Sequence, residues 1–476
     1  MFELHHLTAL EQLDWLRRGK VSPVELATHY LDRIEALDSG LGAFTTVTRD
    51  AALERAAFVM SRVPPAAVLW GLPLGDKDLW RRAGVRTTFG SRLMRDYVPD
   101  GSDEIVDVLD AAGAVSLGKT NAPEFGLPSY TESLVAEPAR TPWNTALGAG
   151  GSSGGAAVAV SAGLLPVAPG SDGGGSIRIP AAATGLVGLK PSRGRVPALS
   201  GFLTLAGLVT AGPIARTVGD AALLLDAMVA PSAWSVGPPT WDGGAFLNAA
   251  TRGEGRFQIG VMTSSPWDDA YEVTVSPEAA AALDVGRQQL DALGHGIEEI
   301  ALEPDATYGP SFRTIWQAGA ASIPAEGDQL ELLEPLTRWL VAKGRELSAR
   351  DLATALQLLA TFERSVVRQF APFDAVMTPA LAMTPRPVGW YDAQDAERNF
   401  EQQVQYTPWT SFVNVSGLPA ITLPVATTDD GLPMGIQLIG RPGREDVLLA
   451  IGAQLERRIG WQRRHPPQWA PVSADR

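Results

Sequence analysis

Residues 148–180 read GAGGSSGGAAVAVSAGLLPVAPGSDGGGSIRIP, and this stretch sets what the rest of the chain must be. Two serines in it are wrapped in glycine, Ser152 in GGSSGG and Ser176 in GGGSIR. Glycines on both sides of a hydroxyl let the backbone turn sharply and approach something closely. Each cluster runs into residues that continue as helix, 156–163 after the first and 177–183 after the second. A serine at a loop-to-helix junction stands among unpaired N–H groups, which suits an anion or a developing oxyanion. Tight packing turns alone would account for the glycines, but not for a serine at the centre of both.

The surrounding composition narrows the class. The chain has 476 residues, 45% of them hydrophobic and 19% charged, as in a soluble globular protein large enough for a sizeable core. A net charge of −14 argues against a nucleic-acid surface, which would carry a basic stripe. There is no Cys, which excludes disulfides, thiolate catalysis and Cys-based metal sites and fits a reducing compartment. Residues 1–13 contain Glu3 and Glu11 and no basic leader, so no signal peptide is expected. The longest weakly polar run, 156–168, is too short and too rich in Gly, Ser and Pro to span a bilayer. A soluble cytoplasmic protein is the expectation.

Along the chain, Thr8 with Glu11 and Ser22 with Pro23 and Glu25 are helix-start signals of the capping-box kind. A strand at 43–47, a helix at 51–63, a strand within 71–80, a helix at 103–112 and a strand at 114–117 alternate in α/β fashion. Residues 218–370 read as mainly helical, an outer lobe that shapes substrate access. Strand-like runs return at 375–378, 420–425 and 435–439, before a closing helix at 445–457. The fold class expected is α/β, a central mixed β-sheet covered by helices on both faces, with a mainly helical outer lobe. The whole of 1–476 then forms one domain, with its catalytic motifs in 71–191.

Two familiar strings fail on context. Gly113 to Thr120 matches the phosphate-binding pattern G-x-x-x-x-G-K-[ST], but its strand-like residues lie inside the supposed loop and Pro123 follows at once. Residues 150–154 match the nucleophile elbow G-x-S-x-G, whose serine needs a histidine base. Of the five histidines only His295 and His465 follow Ser152, one between two glycines and one in a polar tail. The other candidate base is Lys77, flanked by Leu72, Leu74, Leu79 and Trp80. Burial that lowers its pKa by about three units, at a cost of roughly 4 kcal/mol, makes the amine a base near neutral pH. Lys77 then draws a proton through Ser152 from Ser176, provided that Asp78 points elsewhere.

With those residues in place, the chain resembles the amidase signature family. The resemblance is carried by GLPLGDKD around Lys77, GKTNAPEFG from Gly118, TPWN from Thr141, GGSSGG around Ser152 and SDGGGSIRIPA around Ser176. FDAVMTPA from Phe373, FVNVSGLPAITLPV and GLPMGIQLIGRPG follow in family order. It implies an acyl-enzyme nucleophile at Ser176, a bridging Ser152 associated with a cis peptide, and Lys77 as general base and then acid. It further implies an oxyanion hole from the N–H groups of Gly173, Gly174, Gly175 and Ser176, with Asp172 and Arg178 bracing that loop. Ser129, Tyr130 and Thr131 fall where the family lines its acyl pocket.

One departure stands out: family members often carry Thr, Ile or Val after the motif aspartate, where this chain has Gly173. The expected activity is hydrolysis of a carboxamide other than a peptide bond, with esters, anilides or carbamates also accepted and no cofactor or metal. Among thirteen tryptophans, Trp316 and Trp390 are candidates for the pocket. The expected partner is a small-molecule amide, with homodimerisation as an option and no nucleic acid or membrane. The alternatives are the glutamyl-tRNA(Gln) amidotransferase A-type subunit, built on the same signature, and a non-catalytic binding module.

Overall fold

The computed structural model describes residues 3–196, 205–229 and 244–469. The two N-terminal capping boxes form as expected. Thr8 caps the helix Ala9–Arg17 with Glu11 answering, and Ser22 caps Pro23–Leu37 with Glu25 answering.

The strands are β1 Phe44–Val47, β2 Pro73–Lys77, β3 Val115–Thr120, β4 Val167–Asp172, β5 Val187–Lys190, β6 Thr210–Ala215, β7 Gln258–Val261, β8 Gly296–Glu299, β9 Ala375–Pro379, β10 Ala420–Thr427 and β11 Pro433–Gly440. Eight of them build the main sheet in the order β4-β6-β5-β10-β11-β9-β7-β8. It is mixed: β9, β7 and β8 run parallel to one another, and the remaining neighbours pair antiparallel. A separate sheet of three strands, β1-β3-β2, carries Lys77 at the end of β2.

Helices cover both faces of the main sheet, as the strand period shows. Ile436 of β11 faces the helix Pro277–Ala292, where an added Cβ on Gly286 would meet it at 2.9 Å. Its neighbour Gln437 points the other way and bonds Arg178 on the helix Arg178–Thr184.

Two features add to the expected arrangement. Most described residues of 218–370 lie in helices, from Val218–Met228 to Ala349–Phe370, but the stretch also contributes β7 and β8 to the sheet edge, and its residues 230–243 lie outside the described residues. Neither QIGV of β7 nor GIEE of β8 carries the apolar–polar alternation that identifies a strand. Residues 167–172, preceded and interrupted by proline, also form a strand, β4, fully buried next to β6.

The phosphate-loop string is largely β3. Lys119 Nζ donates to the Trp80 carbonyl and, at 3.0 Å, to Thr87 Oγ1, so it is spent on the fold.

The helix Gly154–Ser161 joins the two sheets. It is apolar on every side, all eight residues are buried, and it touches strands of both sheets. Gly155 is where the fit is tightest: an added Cβ would stand 2.3 Å from Asn121 N and 2.4 Å from Ala43 O, both backbone atoms. Gly155→Ala therefore costs about 1–3 kcal/mol and lowers the midpoint of thermal unfolding. Gly101→Ala, with nothing within 4 Å of the added methyl, stays within about 0.5 kcal/mol of the parent in the same measurement.

Candidate active site

The helix-joining geometry brings Lys77, Ser152 and Ser176 into one region. Lys77 stands at the end of β2 and Ser152 just before the helix Gly154–Ser161, while Ser176 follows β4 in the turn into Arg178–Thr184. Lys77 is fully buried, and its Nζ lies 2.9 Å from Ser152 Oγ, 3.0 Å from Ser171 Oγ and 3.3 Å from the Ser171 carbonyl. Burial in these surroundings lowers its pKa to about 7, with the charge of Asp172 pulling weakly the other way. Asp78 does point elsewhere: it accepts from Thr88 N and Oγ1 and lies 3.6 Å from Lys119 Nζ.

The Gly151–Ser152 peptide is cis. Ser152 is buried, whereas Ser176 opens onto a cavity. No hydrogen bond joins the two hydroxyls among the described residues, so the second link of the expected proton path is open in this structure. Ser153 N donates to the Ser176 carbonyl at 3.1 Å, which fixes one serine segment against the other.

Asp172 and Arg178 form a buried ion pair at 2.9 and 3.0 Å. The guanidinium beside it holds the Asp172 carboxyl well below the usual carboxylate range. The same carboxylate accepts from Gly175 N at 2.8 Å and Ile177 N at 3.1 Å. This corrects the expected oxyanion hole, because the Gly175 N–H is engaged by Asp172. Among the described residues the N–H groups of Gly173, Gly174 and Ser176 have no partner.

The acyl-pocket expectation is corrected as well. Of Ser129, Tyr130 and Thr131, only Ser129 lines the cavity. Thr131 is buried beneath the first serine loop, where its Oγ1 donates to Gly150 O at 2.9 Å and accepts from Gly154 N at 3.2 Å. Tyr130 turns away to stack on Tyr391, 4.0 Å between centroids, and accepts from Asn399 Nδ2.

The cavity opens to solvent and leaves about 60 Å³ for the centre of a water molecule. One wall is the face of the helix Tyr308–Ala320 that carries Phe312 and Trp316, four residues apart. The facing wall is Phe400, Gln403 and Val404 of the helix Ala396–Tyr406, together with Thr407 just beyond its end. No charged side chain lines it among the described residues. Trp316 thus belongs to the cavity, whereas Trp390 packs against Tyr391 outside it.

Some of the supporting residues were not singled out in the sequence. Ser171 supplies two contacts to Lys77, Asn414 bonds both Asp172 and Arg178, and Gln437 accepts from Arg178. Each lies inside a quoted motif, and for Asn414 and Gln437 the available signal is a lone amide in an apolar run.

The histidines lie apart. His295 Nδ1 accepts from Phe257 N and His465 stacks on Trp469. Glu3, His5 and His29 bring three ligating atoms within 4.8 Å of one another, but Arg33 Nη1 stands 3.6 Å from the Glu3 carboxylate, where it opposes a cation.

Residues 25–449 match the family model described as Amidase. AmiB2 of Mycobacterium tuberculosis, a protein named as an amidase, is 38% identical over 467 residues, covering 96% of this chain and 97% of its own. The glutamyl-tRNA(Gln) amidotransferase A-type subunit of Thioalkalivibrio sulfidiphilus is 32% identical over 496 residues, 97% of this chain and 99% of its own. Among solved structures, 6-aminohexanoate cyclic dimer hydrolase complexed with substrate superposes with a TM-score of 0.89 at 29% identity, covering 98% of this chain and 100% of that chain. The chain belongs to the amidase signature family and is a hydrolase of that family. No helix among the described residues is long and apolar enough to cross a membrane.

Removing one member of the Asp172–Arg178 pair leaves the other buried and uncompensated. Arg178→Met is expected to destabilise the protein by about 3–5 kcal/mol, read as a fall in the urea midpoint or in soluble yield.

Proposed function

We propose that this chain hydrolyses small carboxamides other than peptide bonds through an acyl-enzyme on Ser176. The observation that carries the proposal is the buried Lys77 amine, 2.9 Å from Ser152 Oγ with its pKa lowered to about 7. A neutral amine has two N–H bonds and one lone pair. Directed at the Ser171 carbonyl and hydroxyl, the N–H bonds leave the lone pair to accept from the Ser152 hydroxyl.

Ser176 Oγ attacks the carbonyl carbon. Its proton passes to Ser152 Oγ as the Ser152 proton passes to Lys77, once substrate binding brings the two hydroxyls into contact. The carbonyl oxygen takes the negative charge and is met by the free N–H groups of Gly173, Gly174 and Ser176. Collapse expels the amine, which receives its proton back along the same path. Water then repeats the sequence on the ester, releasing the acid and Ser176. Esters follow the same course and anilides differ only in the amine expelled, whereas a carbamate that expels its alcohol leaves a carbamoyl group on Ser176 for water to release.

The likeness to a protein of the amidotransferase type supports a second reading, in which the site takes glutamine. The cavity weighs against it. Glutamine carries an ammonium and a carboxylate, and a site for it would present charges of opposite sign, whereas the lining holds none among the described residues. A module that only binds has no need of a buried amine against two serine hydroxyls.

Ser176→Ala is expected to abolish covalent labelling by a fluorophosphonate probe, whereas labelling of another residue would move the nucleophile. Lys77→Ala should lower kcat/KM by about 10³-fold with the fold intact by circular dichroism. The protonated amine cannot accept a proton, so kcat/KM should climb as pH rises and level off above about 7. A profile that is flat from pH 5 to 9 would remove Lys77 as the base. Incubation with glutamine should release no ammonia.

A further inference from the structure

The three glycines before Ser176 are glycines for different reasons. Gly175 has φ +132°, and an added Cβ would stand 2.6 Å from both Ile179 Cδ1 and Thr410 Oγ1, so no other residue fits. Gly174 has room, with its nearest neighbour 3.7 Å from an added Cβ. Gly173 has no positive φ, and its own backbone would accept a side chain. What stands in the way is its surroundings: an added Cβ would lie 3.2 Å from Val209 Cγ2, and 3.5 and 3.7 Å from Cη2 and Cζ3 of Trp316. A single methyl group would touch the indole, and the branches of a Thr or Val would have to occupy its place. The absent side chain at Gly173 and the indole of Trp316 therefore fill one volume between them.

That volume lies against the backbone that carries the free N–H groups, at the wall of the cavity into which Ser176 opens. The indole is only partly buried, is held by Phe312 (ring centroids 5.5 Å apart, 17° between planes) and presents an aromatic surface to whatever occupies the site.

We propose that Trp316 is a specificity-determining residue, admitted by Gly173, and that it makes this site select flat, uncharged amides whose planar group packs on the indole. The inference rests on the proposed acyl transfer at Ser176 and names its substrate class. A flat ring gains dispersion and quadrupole contact on an indole that a puckered ring of equal size does not. An uncharged group meets no desolvation cost in a lining without charge. The step itself is amide hydrolysis as above, with water as the only co-reactant.

Benzamide and cyclohexanecarboxamide share ring size and leaving group and differ in flatness. The quantity to measure is the ratio of their kcat/KM values in the parent and in Trp316→Leu, Gly173→Thr, the double variant and Gly173→Ala. Comparison across variants cancels the intrinsic difference in reactivity between the two amides. Trp316→Leu should lower the ratio about three- to tenfold, the size expected of one aromatic contact. Gly173→Thr, which displaces the indole, should lower it by a similar factor. The double variant should show no further loss, because both changes remove the same surface. Gly173→Ala, whose one methyl stays at contact distance, should keep the parent's ratio.

An unchanged ratio in Trp316→Leu would overturn the inference, and so would losses that multiply in the double variant. Turnover of neither amide by a chain that still takes a fluorophosphonate on Ser176 would overturn it as well. Failure of the parent to label at Ser176 would instead bring down the acyl-enzyme reading beneath it.

Discussion

The buried pair of Asp172 and Arg178 is the constraint on which the rest of the site depends. Taking two charges out of water is expensive, and the attraction between them offsets that only when their remaining lone pairs and protons are also met. Here they are met from several directions. Asp172 accepts from Gly175 N, Ile177 N and Asn414 Nδ2 as well as from the guanidinium, and Arg178 donates onward to Gln437 and Asn414. These bonds tie together the end of β4, the turn bearing Ser176, the helix Arg178–Thr184, the helix Ser411–Val415 and β11. The nucleophile's loop thereby takes its shape from a polar network anchored in the middle of the main sheet.

The same matching of charges explains how Lys77 becomes a base. Three carboxylates stand close to it in sequence or space, and each is already matched with another cation. Asp76 is held by Arg82 at 2.6 Å, Asp78 faces Lys119 at 3.6 Å, and Asp172 is bound by Arg178. Arg stays protonated at any working pH, so Arg82 and Arg178 never release their partners to Lys77. The amine is left with hydroxyls and a carbonyl, which support its neutral form as well as its charged one. Burial without a counterion is then the dominant influence on its pKa. In GLPLGDKD the two aspartates flank the lysine and look like its partners; in the fold they serve neighbouring cations instead.

How much of this was legible follows from how local each feature is. Lys77, Ser152 and Ser176 stand in short frames of glycine and apolar residues that betray a turn or a buried strand end, so residue type and spacing alone expose them. Helix starts at Thr8 and Ser22 are legible because a cap is an exchange of hydrogen bonds over three residues. Strands β7 and β8 were not, since QIGV and GIEE carry no alternation and become strands only beside β9. Tyr130 and Thr131 sit in the right segment with the wrong orientation, because the direction of a side chain in an irregular loop depends on what packs under it. Asn414 and Gln437 lie more than two hundred residues from Asp172 along the chain, and nothing local marks which charge they serve. The spacing of Phe312 and Trp316, or of Phe400, Gln403 and Val404, is helical and readable. Which helix face meets the nucleophile is decided by tertiary packing.

Three consecutive glycines before a nucleophile imply a loose loop, and a loose loop is a poor oxyanion hole. Preorganised donors stabilise charge because they need not reorient as it develops. The structure resolves this conflict from outside the loop. The Gly174 carbonyl is held by Thr410 Oγ1 at 2.6 Å, Gly175 N is held by the Asp172 carboxylate, and Gly173 is packed between Val209 and Trp316. The loop is thus restrained by groups from several elements, and the missing side chains leave room for Val209 and Trp316 at Gly173 and for Ile179 and Thr410 at Gly175. Backbone freedom, costly to an isolated segment, becomes an advantage when neighbours can press directly on the main chain. The N–H groups left over, those of Gly173, Gly174 and Ser176, belong to a backbone in which Gly174 O, Gly175 N, Gly175 O and Ser176 O are all bonded, which favours donors that wait in place.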